Sequence, residues 1–251
     1  MEPHLSHQVT GAVATVVIHN AAKRNAMTAA MWRALPPLLD ELSGDPDVRV
    51  LVLTGEGATF CAGADISSLR GSPAEAQSLA VAAEEALAAF PKPTLAAVRG
   101  HCVGGGSQLA AACDLRFAEE GALFGVTPAR LGIVYPASST RRLVSLVGPA
   151  ATKYLLYSGE LIGTERALRT GLVDEVLPEG GLAGRVEEFT RILTARSQLT
   201  QAAAKEFADG RTDRDDHWTA QARGSGDAAE GVAAFLERRR PGFSWAVPGR
   251  G

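Results

Sequence analysis

The pattern of apolar and polar positions divides the first half of the chain into alternating strands and helices. Apolar runs rich in β-branched residues predict strands over 13–18, 48–53, 94–98 and 115–118. Apolar residues at helical spacing predict helices over 28–42, 72–90 and 106–113, with a kink or early break at the Pro36-Pro37 pair. This alternation favours an α/β fold.

The second half is predicted to be mostly helical. Helices are expected over 140–146, 149–158, 164–170, 182–195, 198–208 and 226–239, with a short strand near 172–176. We therefore divide the chain into a core, residues 1–195, and a C-terminal helical region, residues 196–251. A helical extension of this kind is a natural surface for association between identical subunits.

Composition narrows the classes of function. The chain has 251 residues and a net charge of −3, which gives no reason to expect a nucleic acid or an anionic membrane as partner. Its three cysteines form no C-x-x-C pair, and its five scattered histidines offer no metal-ligand set. With no apolar run of membrane-spanning length and no leader segment, we expect a cytoplasmic protein that binds no metal.

Two small-residue turns carry the candidate chemistry. Val103–Cys113, VGGGSQLAAAC, follows one apolar strand, and Cys61–Ile66, CAGADI, follows another. Glycines leave backbone N–H groups accessible, and an N–H at a helix N-terminus carries partial positive charge. One N–H from each turn would form an oxyanion hole for a thioester carbonyl.

Several ordered motifs resemble the crotonase (enoyl-CoA hydratase/isomerase) superfamily over nearly the whole chain. They are Lys23–Ala26, Phe60–Ile66, Pro91–Thr94, Ala97–Gly100, Gly104–Gly106, Cys113-Asp114, Phe124-Gly125, Leu131-Gly132 and Gly171–Val173. The resemblance implies a spiral of ββα units with a C-terminal helical extension. It also implies an acyl-CoA substrate, no cofactor beyond the coenzyme A of that substrate, and a homotrimer or dimer of trimers.

The resemblance also assigns site residues. It places the two oxyanion donors at the backbone N–H groups of Ala64 and Gly105. It implies coenzyme A contacts from Lys23, Arg24, Ala26, Ala62, Asp65, Ile66, Thr127, Phe235 and Arg238. Alternative interpretations are solvated surface cations for Lys23, Arg24 and Arg238, and core packing for Phe235.

The chain departs from the family at the acid–base positions. Hydratases of this family use two glutamates, whereas this sequence has Gln108 and Pro128 at the corresponding places. An amide is not a base and proline has no side-chain proton, so efficient hydration by the usual mechanism is not expected.

The segment from Thr127 to Tyr135 resembles the methylmalonyl-CoA decarboxylase branch of the superfamily, in which a tyrosine at the position of Tyr135 orients the carboxylate that is lost. Decarboxylation needs an oxyanion hole and no base. A site with donors and without carboxylates suits it, and Gln108 is expected to donate a hydrogen bond to the substrate carboxylate. We therefore expect decarboxylation of a small malonyl-type thioester, with Ala64, Gly105, Gln108 and Tyr135 as the catalytic residues.

Four alternatives stay open at this point. The first is an enoyl-CoA hydratase or isomerase with atypical residues, and the second is a non-catalytic acyl-CoA-binding protein. The third is a serine hydrolase, because Gly105-Gly106-Ser107 begins like a nucleophile elbow, although the motif then ends in Leu109 rather than glycine. The fourth, a dinucleotide-binding enzyme, lacks the G-x-G-x-x-G motif.

Overall fold

The computed structural model describes residues 2–65 and 73–248. Its strands are β1 His4–Thr10, β2 Val13–His19, β3 Val50–Gly55, β4 Thr94–Val98, β5 His101–Val103, β6 Leu115–Glu119, β7 Leu123–Gly125, β8 Ile162–Gly163 and β9 Glu175–Leu177. Its helices are α1 Ala29–Gly44, α2 Pro73–Ala88, α3 Gly105–Ala112, α4 Ala137–Ser158, α5 Thr164–Thr170, α6 Leu182–Thr194, α7 Gln198–Ala208, α8 Asp215–Ser225 and α9 Asp227–Glu237.

The strands form two sheets within the described residues. The larger sheet has the order β1-β2-β3-β4-β6-β9, with β1 antiparallel to β2 and the other pairs parallel. The smaller sheet has the order β5-β7-β8. Parallel neighbours need crossover helices, and these cover the sheet faces. The predicted α/β class is confirmed.

Alternation along β3 sends side chains into two cores. Leu51 and Leu53 join the main core with the apolar faces of α1 and α2, whereas Val52 packs on the opposite face, in a cluster with Leu182 of α6. All five residues of β4 are buried, which fits a central strand covered on both faces.

The predicted break in α1 is wrong. The helix runs continuously through Pro36 and Pro37, and its buried face includes Trp32 and Leu39. Each proline removes one backbone donor, and burial of the apolar face keeps the helix intact. By contrast, the two helices predicted over 140–158 meet at Gly148, whose φ of +74° places a sharp joint within α4.

The helices after residue 195 have a small core of their own. Leu199, Ala202 and Trp218 are buried together, and Phe207 and Trp245 pack against them. The division of the chain into two regions at residue 195 stays a prediction, and this separate core is consistent with it. Among the described residues, no helix is long and apolar enough to cross a membrane.

Asn25 holds together the loop that leads into the site. It is fully buried at a left-handed φ of +58°. Its Oδ1 accepts from the backbone N–H of Asn20 at 3.0 Å, and its Nδ2 donates to the carbonyls of Glu56 at 2.9 Å and Thr59 at 2.6 Å. Asparagine suits this position because it tolerates the left-handed region and supplies both donors and an acceptor.

We expect Asn25→Ala to lower the free energy of unfolding by about 3 kcal/mol, because it leaves buried backbone groups without partners. Urea denaturation of this variant beside Gln8→Ala, a change at an exposed position of β1, measures the difference. Equal midpoints for the two variants would contradict the assignment.

Candidate active site

The first turn of the site is joined to the loop before α1 by backbone hydrogen bonds. The N–H of Ala62 donates to the carbonyl of Arg24 at 2.9 Å, and Met27 exchanges bonds of 2.8 Å with the carbonyl of Gly63 and the N–H of Asp65. Ala64 therefore forms a parallel bridge with Met27. In such a bridge the central residue turns its own N–H to the opposite side, so the N–H of Ala64 faces away from Met27.

The second turn ends in the N-terminus of α3. Gly104 has a φ of +56° and a ψ of −117°, a conformation that needs glycine, and its N–H donates to the carbonyl of Gly125 at 2.8 Å. The N–H of Gly105 lies in the first turn of the helix, where no intrahelical acceptor exists. Its partial positive charge is available to an external oxygen.

The two turns touch so closely that side chains have no room. A Cβ at Gly106 would lie 2.2 Å from the carbonyl oxygen of Cys61, and a Cβ at Gly105 would lie 2.8 Å from Cζ2 of Trp32 and 3.5 Å from the nitrogen of Ala64. In the described part of the chain, neither the Ala64 nor the Gly105 N–H has a hydrogen-bond partner. The arrangement suits two donors to one oxygen.

A cavity of about 290 Å³ lies next to these turns. Three of the predicted binding residues, Arg24, Ala62 and Thr127, line it. The rest of its wall consists of His101, Val103, Arg130, Leu131 and Leu161. The fold thus brings together residues from distant parts of the sequence around a largely apolar pocket that has cationic groups in its wall.

The remaining described residues predicted to contact coenzyme A are not among the residues that line this cavity. Lys23 Nζ contacts Asp65 Oδ2 at 2.7 Å, so two of them pair with each other across the loops. Ala26 is buried, and its carbonyl accepts from Asn20 Nδ2. Phe235 is exposed on α9 and Arg238 follows it, and neither is among the residues that line the cavity. Ile66 lies outside the described residues.

Sequence reasoning missed a buried carboxylate. Glu84 of α2 is only 1% exposed, and its Oε2 accepts from Gln108 Nε2 at 2.6 Å and from Ser139 Oγ at 2.5 Å. Arg142 Nε donates to its Oε1 at 2.8 Å. The expectation of a site without carboxylates is therefore wrong. Helical spacing could have revealed Glu84 in the sequence, because it places this residue on the same buried face of α2 as Ala80 and Leu87.

The partners of Gln108 correct its expected role. One N–H of its amide goes to Glu84 and Nε2 also lies 3.2 Å from Ser139 Oγ. Both amide hydrogens are thus directed to protein atoms. The prediction that Gln108 donates a hydrogen bond to a substrate carboxylate is therefore wrong. Among the described residues, Oε1 of Gln108 has no hydrogen-bond partner, so the amide offers an acceptor.

Tyr135 lies beside this network and packs against the main core. Burial raises the pKa of its hydroxyl, the negative charge of Glu84 raises it further, and a hydrogen bond with Ser139 lowers it. The raised pKa therefore favours the neutral form of the hydroxyl.

Ser107 has a structural role. It is buried, and its Oγ lies 2.6 Å from the carbonyl oxygen of Cys102 and 2.9 Å from that of Gly125. This hydroxyl ties the start of α3 to β5 and β7. The arrangement disfavours the serine hydrolase alternative, because the hydroxyl faces backbone carbonyls rather than a base.

A family model described as enoyl-CoA hydratase/isomerase matches residues 8–245. The chain belongs to this family. It is 34% identical to a crotonyl-CoA hydratase of Syntrophomonas wolfei over 244 residues, which are 92% of this chain and 94% of that protein. The crotonase-superfamily fold and an acyl-CoA enzyme are thereby shown.

Solved structures of the family have the same fold as this chain. A crystal structure of an enoyl-CoA hydratase/isomerase family member has a TM-score of 0.91 at 39% identity and covers 98% of each chain. A family protein from Hyphomonas neptunium has a TM-score of 0.90 at 34% identity, covering 96% of this chain and 97% of its own. The decarboxylase-like branch stays a prediction.

We expect Tyr135 to stay protonated at a pH at which an ordinary tyrosine, with a pKa of about 10, has lost half of its protons. Because the folded pKa is raised, the contribution of Tyr135 to stability is full below about pH 10 and is lost as the pH rises through the folded value. The difference in phenolate absorbance between the wild type and Tyr135→Phe across a pH titration measures this. A Tyr135 signal that appears at the ordinary pH would contradict it.

Proposed function

We propose that the chain hydrates a 2-enoyl-CoA thioester. The single observation that carries the proposal is a combination of donors and an acceptor that have no hydrogen-bond partner among the described residues: the N–H groups of Ala64 and Gly105, and Oε1 of Gln108 one turn further along α3. The N–H pair suits the oxygen of an enolate, and the acceptor suits a water molecule.

The proposed reaction follows from these roles. The water oxygen forms a bond to Cβ, and the electrons of the C=C double bond move onto the thioester oxygen, where the two N–H groups stabilise the enolate. The hydrogen that Gln108 holds remains in the new hydroxyl group, and the other hydrogen of the water goes to Cα. One water is added, the protein keeps its protonation state, and the reaction uses no cofactor beyond the coenzyme A of the substrate.

The absence of the two family glutamates lowers the expected rate of hydration. General acid–base groups contribute about 10²–10⁴-fold to such reactions. We therefore expect turnover well below that of a hydratase with both carboxylates, while the contribution of the oxyanion hole is retained.

Decarboxylation of a malonyl-type thioester such as methylmalonyl-CoA is the second candidate. The observation that favours it is Tyr135, whose neutral hydroxyl lies near Ser139 and Glu84. The acceptor orientation of the Gln108 amide counts against it, because an amide oxygen repels a substrate carboxylate. Hydration therefore fits the geometry better.

Mass spectrometry of the protein incubated separately with crotonyl-CoA and methylmalonyl-CoA tests both candidates. The hydration proposal expects crotonyl-CoA to gain the mass of one water faster than in a control without enzyme. Loss of carbon dioxide from methylmalonyl-CoA alone would overturn it in favour of decarboxylation. No change in either thioester would favour a binding protein.

We further propose a homotrimer or dimer of trimers. Val232, Phe235 and Leu236 of α9 are each more than half exposed in the single chain, which supports an association surface there. Sedimentation equilibrium of the purified protein measures the assembly, and a monomer at all concentrations would contradict the proposal.

We expect Gly105→Ala to lower kcat about 100-fold, since the new Cβ meets Trp32 and displaces the N–H donor from the substrate oxygen. Gly184→Ala in α6 is the matched control, because a Cβ there meets nothing within 4 Å. Steady-state kinetics with crotonyl-CoA, together with thermal unfolding of both variants, separate the effect from misfolding. Equal kcat values for both variants would remove Gly105 from the mechanism.

A further inference from the structure

Glu84 has no part in the chemistry described so far, although it is a charged group buried beside the site. It lies in the last part of α2, 24 residues before Gln108 in the sequence. A buried carboxylate is costly unless its oxygens are hydrogen-bonded and its charge is balanced. Its partners therefore indicate what it does.

Three donors surround this carboxylate. Gln108 and Ser139 donate to Oε2, and the Arg142 guanidinium donates to Oε1 and balances the charge. Arg142 is partly exposed and also contacts the exposed Glu85 at 3.2 Å, so one cation pairs with two neighbouring carboxylates of α2. The carboxylate is thus satisfied without any substrate.

The carboxylate fixes which way the Gln108 amide faces. An ionised carboxylate only accepts hydrogen bonds, so a flipped amide would place two acceptors 2.6 Å apart in a buried environment. The amide nitrogen must therefore face Glu84, and the amide oxygen is the atom left without a partner among the described residues.

We propose that Glu84 is a positioning residue that holds Gln108 as a hydrogen-bond acceptor and thereby selects uncharged acyl groups over acyl groups that carry a carboxylate. The inference rests on the proposed function in one respect only, namely that water is the molecule that donates a hydrogen bond to Oε1 of Gln108. The selection against a carboxylate depends on the amide orientation itself and is measurable by binding alone.

Replacing Glu84 by glutamine removes this constraint. A glutamine at position 84 can either donate to or accept from Gln108, so the Gln108 amide is free to rotate and to offer an N–H to a bound carboxylate. A hydrogen bond to a charged group changes binding by about tenfold or more. The affinity for a carboxylate-bearing thioester is expected to rise by that factor, whereas the affinity for an uncharged thioester stays unchanged.

The experiment measures the dissociation constants of malonyl-CoA and butyryl-CoA by calorimetry for the wild type, Glu84→Gln and Glu85→Gln. Glu85→Gln is the matched control, because it removes the neighbouring partner of Arg142 on the same helix. The proposal expects the ratio of butyryl-CoA to malonyl-CoA affinity to fall about tenfold in Glu84→Gln alone. An unchanged ratio would overturn it.

A double-mutant cycle separates orientation from simple charge removal. In a Gln108→Met background the amide is absent, so Glu84→Gln should leave the ratio of the two affinities unchanged. The same tenfold change in that background would show a bare charge effect and overturn the proposal. Gln108→Met alone also lowers the discrimination if the amide oxygen causes it, which keeps the proposal testable should Glu84→Gln fail to fold.

The kinetic part uses crotonyl-CoA. The proposal expects Glu84→Gln to lower kcat by about tenfold with little change in KM and with the shape of the pH profile retained. Loss of a limb of the pH profile would make Glu84 a direct base and overturn the positioning role. If the wild type does not hydrate crotonyl-CoA, the proposed function fails, while the binding ratios still decide the orientation of Gln108.

Discussion

The close approach of two backbone turns is the constraint on which the site depends. The carbonyl of Cys61 lies where a side chain of residue 106 would stand, so glycine is required there. Backbone hydrogen bonds with Arg24 and Met27 hold one turn, and the contacts of Ser107 with two strand carbonyls hold the other. With both turns held, the N–H groups of Ala64 and Gly105 keep fixed positions, as the proposed oxyanion hole requires.

Behind this backbone frame lies a charged interior. Glu84 receives hydrogen bonds from side chains of α3 and α4, so one carboxylate joins three helices. The carboxylate affects two neighbours: it orders the amide of Gln108, and its charge adds to the effect of burial, which is the main cause of the raised pKa of Tyr135. Gln108 and Tyr135 are thus uncharged side chains next to a buried charge, and none of the described residues that line the cavity is a carboxylate. The chemistry then relies on dipoles and backbone donors.

Sequence patterns predicted the glycine turns, four strands of the larger sheet and most of the helices, because these depend on local spacing and on backbone conformation. Helix α8, Asp215–Ser225, was not predicted. Short or polar elements were missed: β1 is an exposed edge strand, and β5 and β7 have three residues each. The orientation of Gln108 was predicted wrongly, because it is decided by Glu84, a residue distant in sequence whose contact exists only after packing. The break at Pro36-Pro37 was also wrong, since tertiary burial outweighs two lost donors.

The proposed oxyanion donors belong to the main chain, and this has a consequence for how such a protein diverges. A substitution at position 108 or 128 changes which acid, base or acceptor the site offers, but it leaves the N–H groups of Ala64 and Gly105 in place. In the proposed mechanism, enolate stabilisation is therefore inherited with the backbone, while the acid, base or acceptor varies with the side chains. A lineage with such a site would keep enolate stabilisation while its side chains exchange one reaction for another.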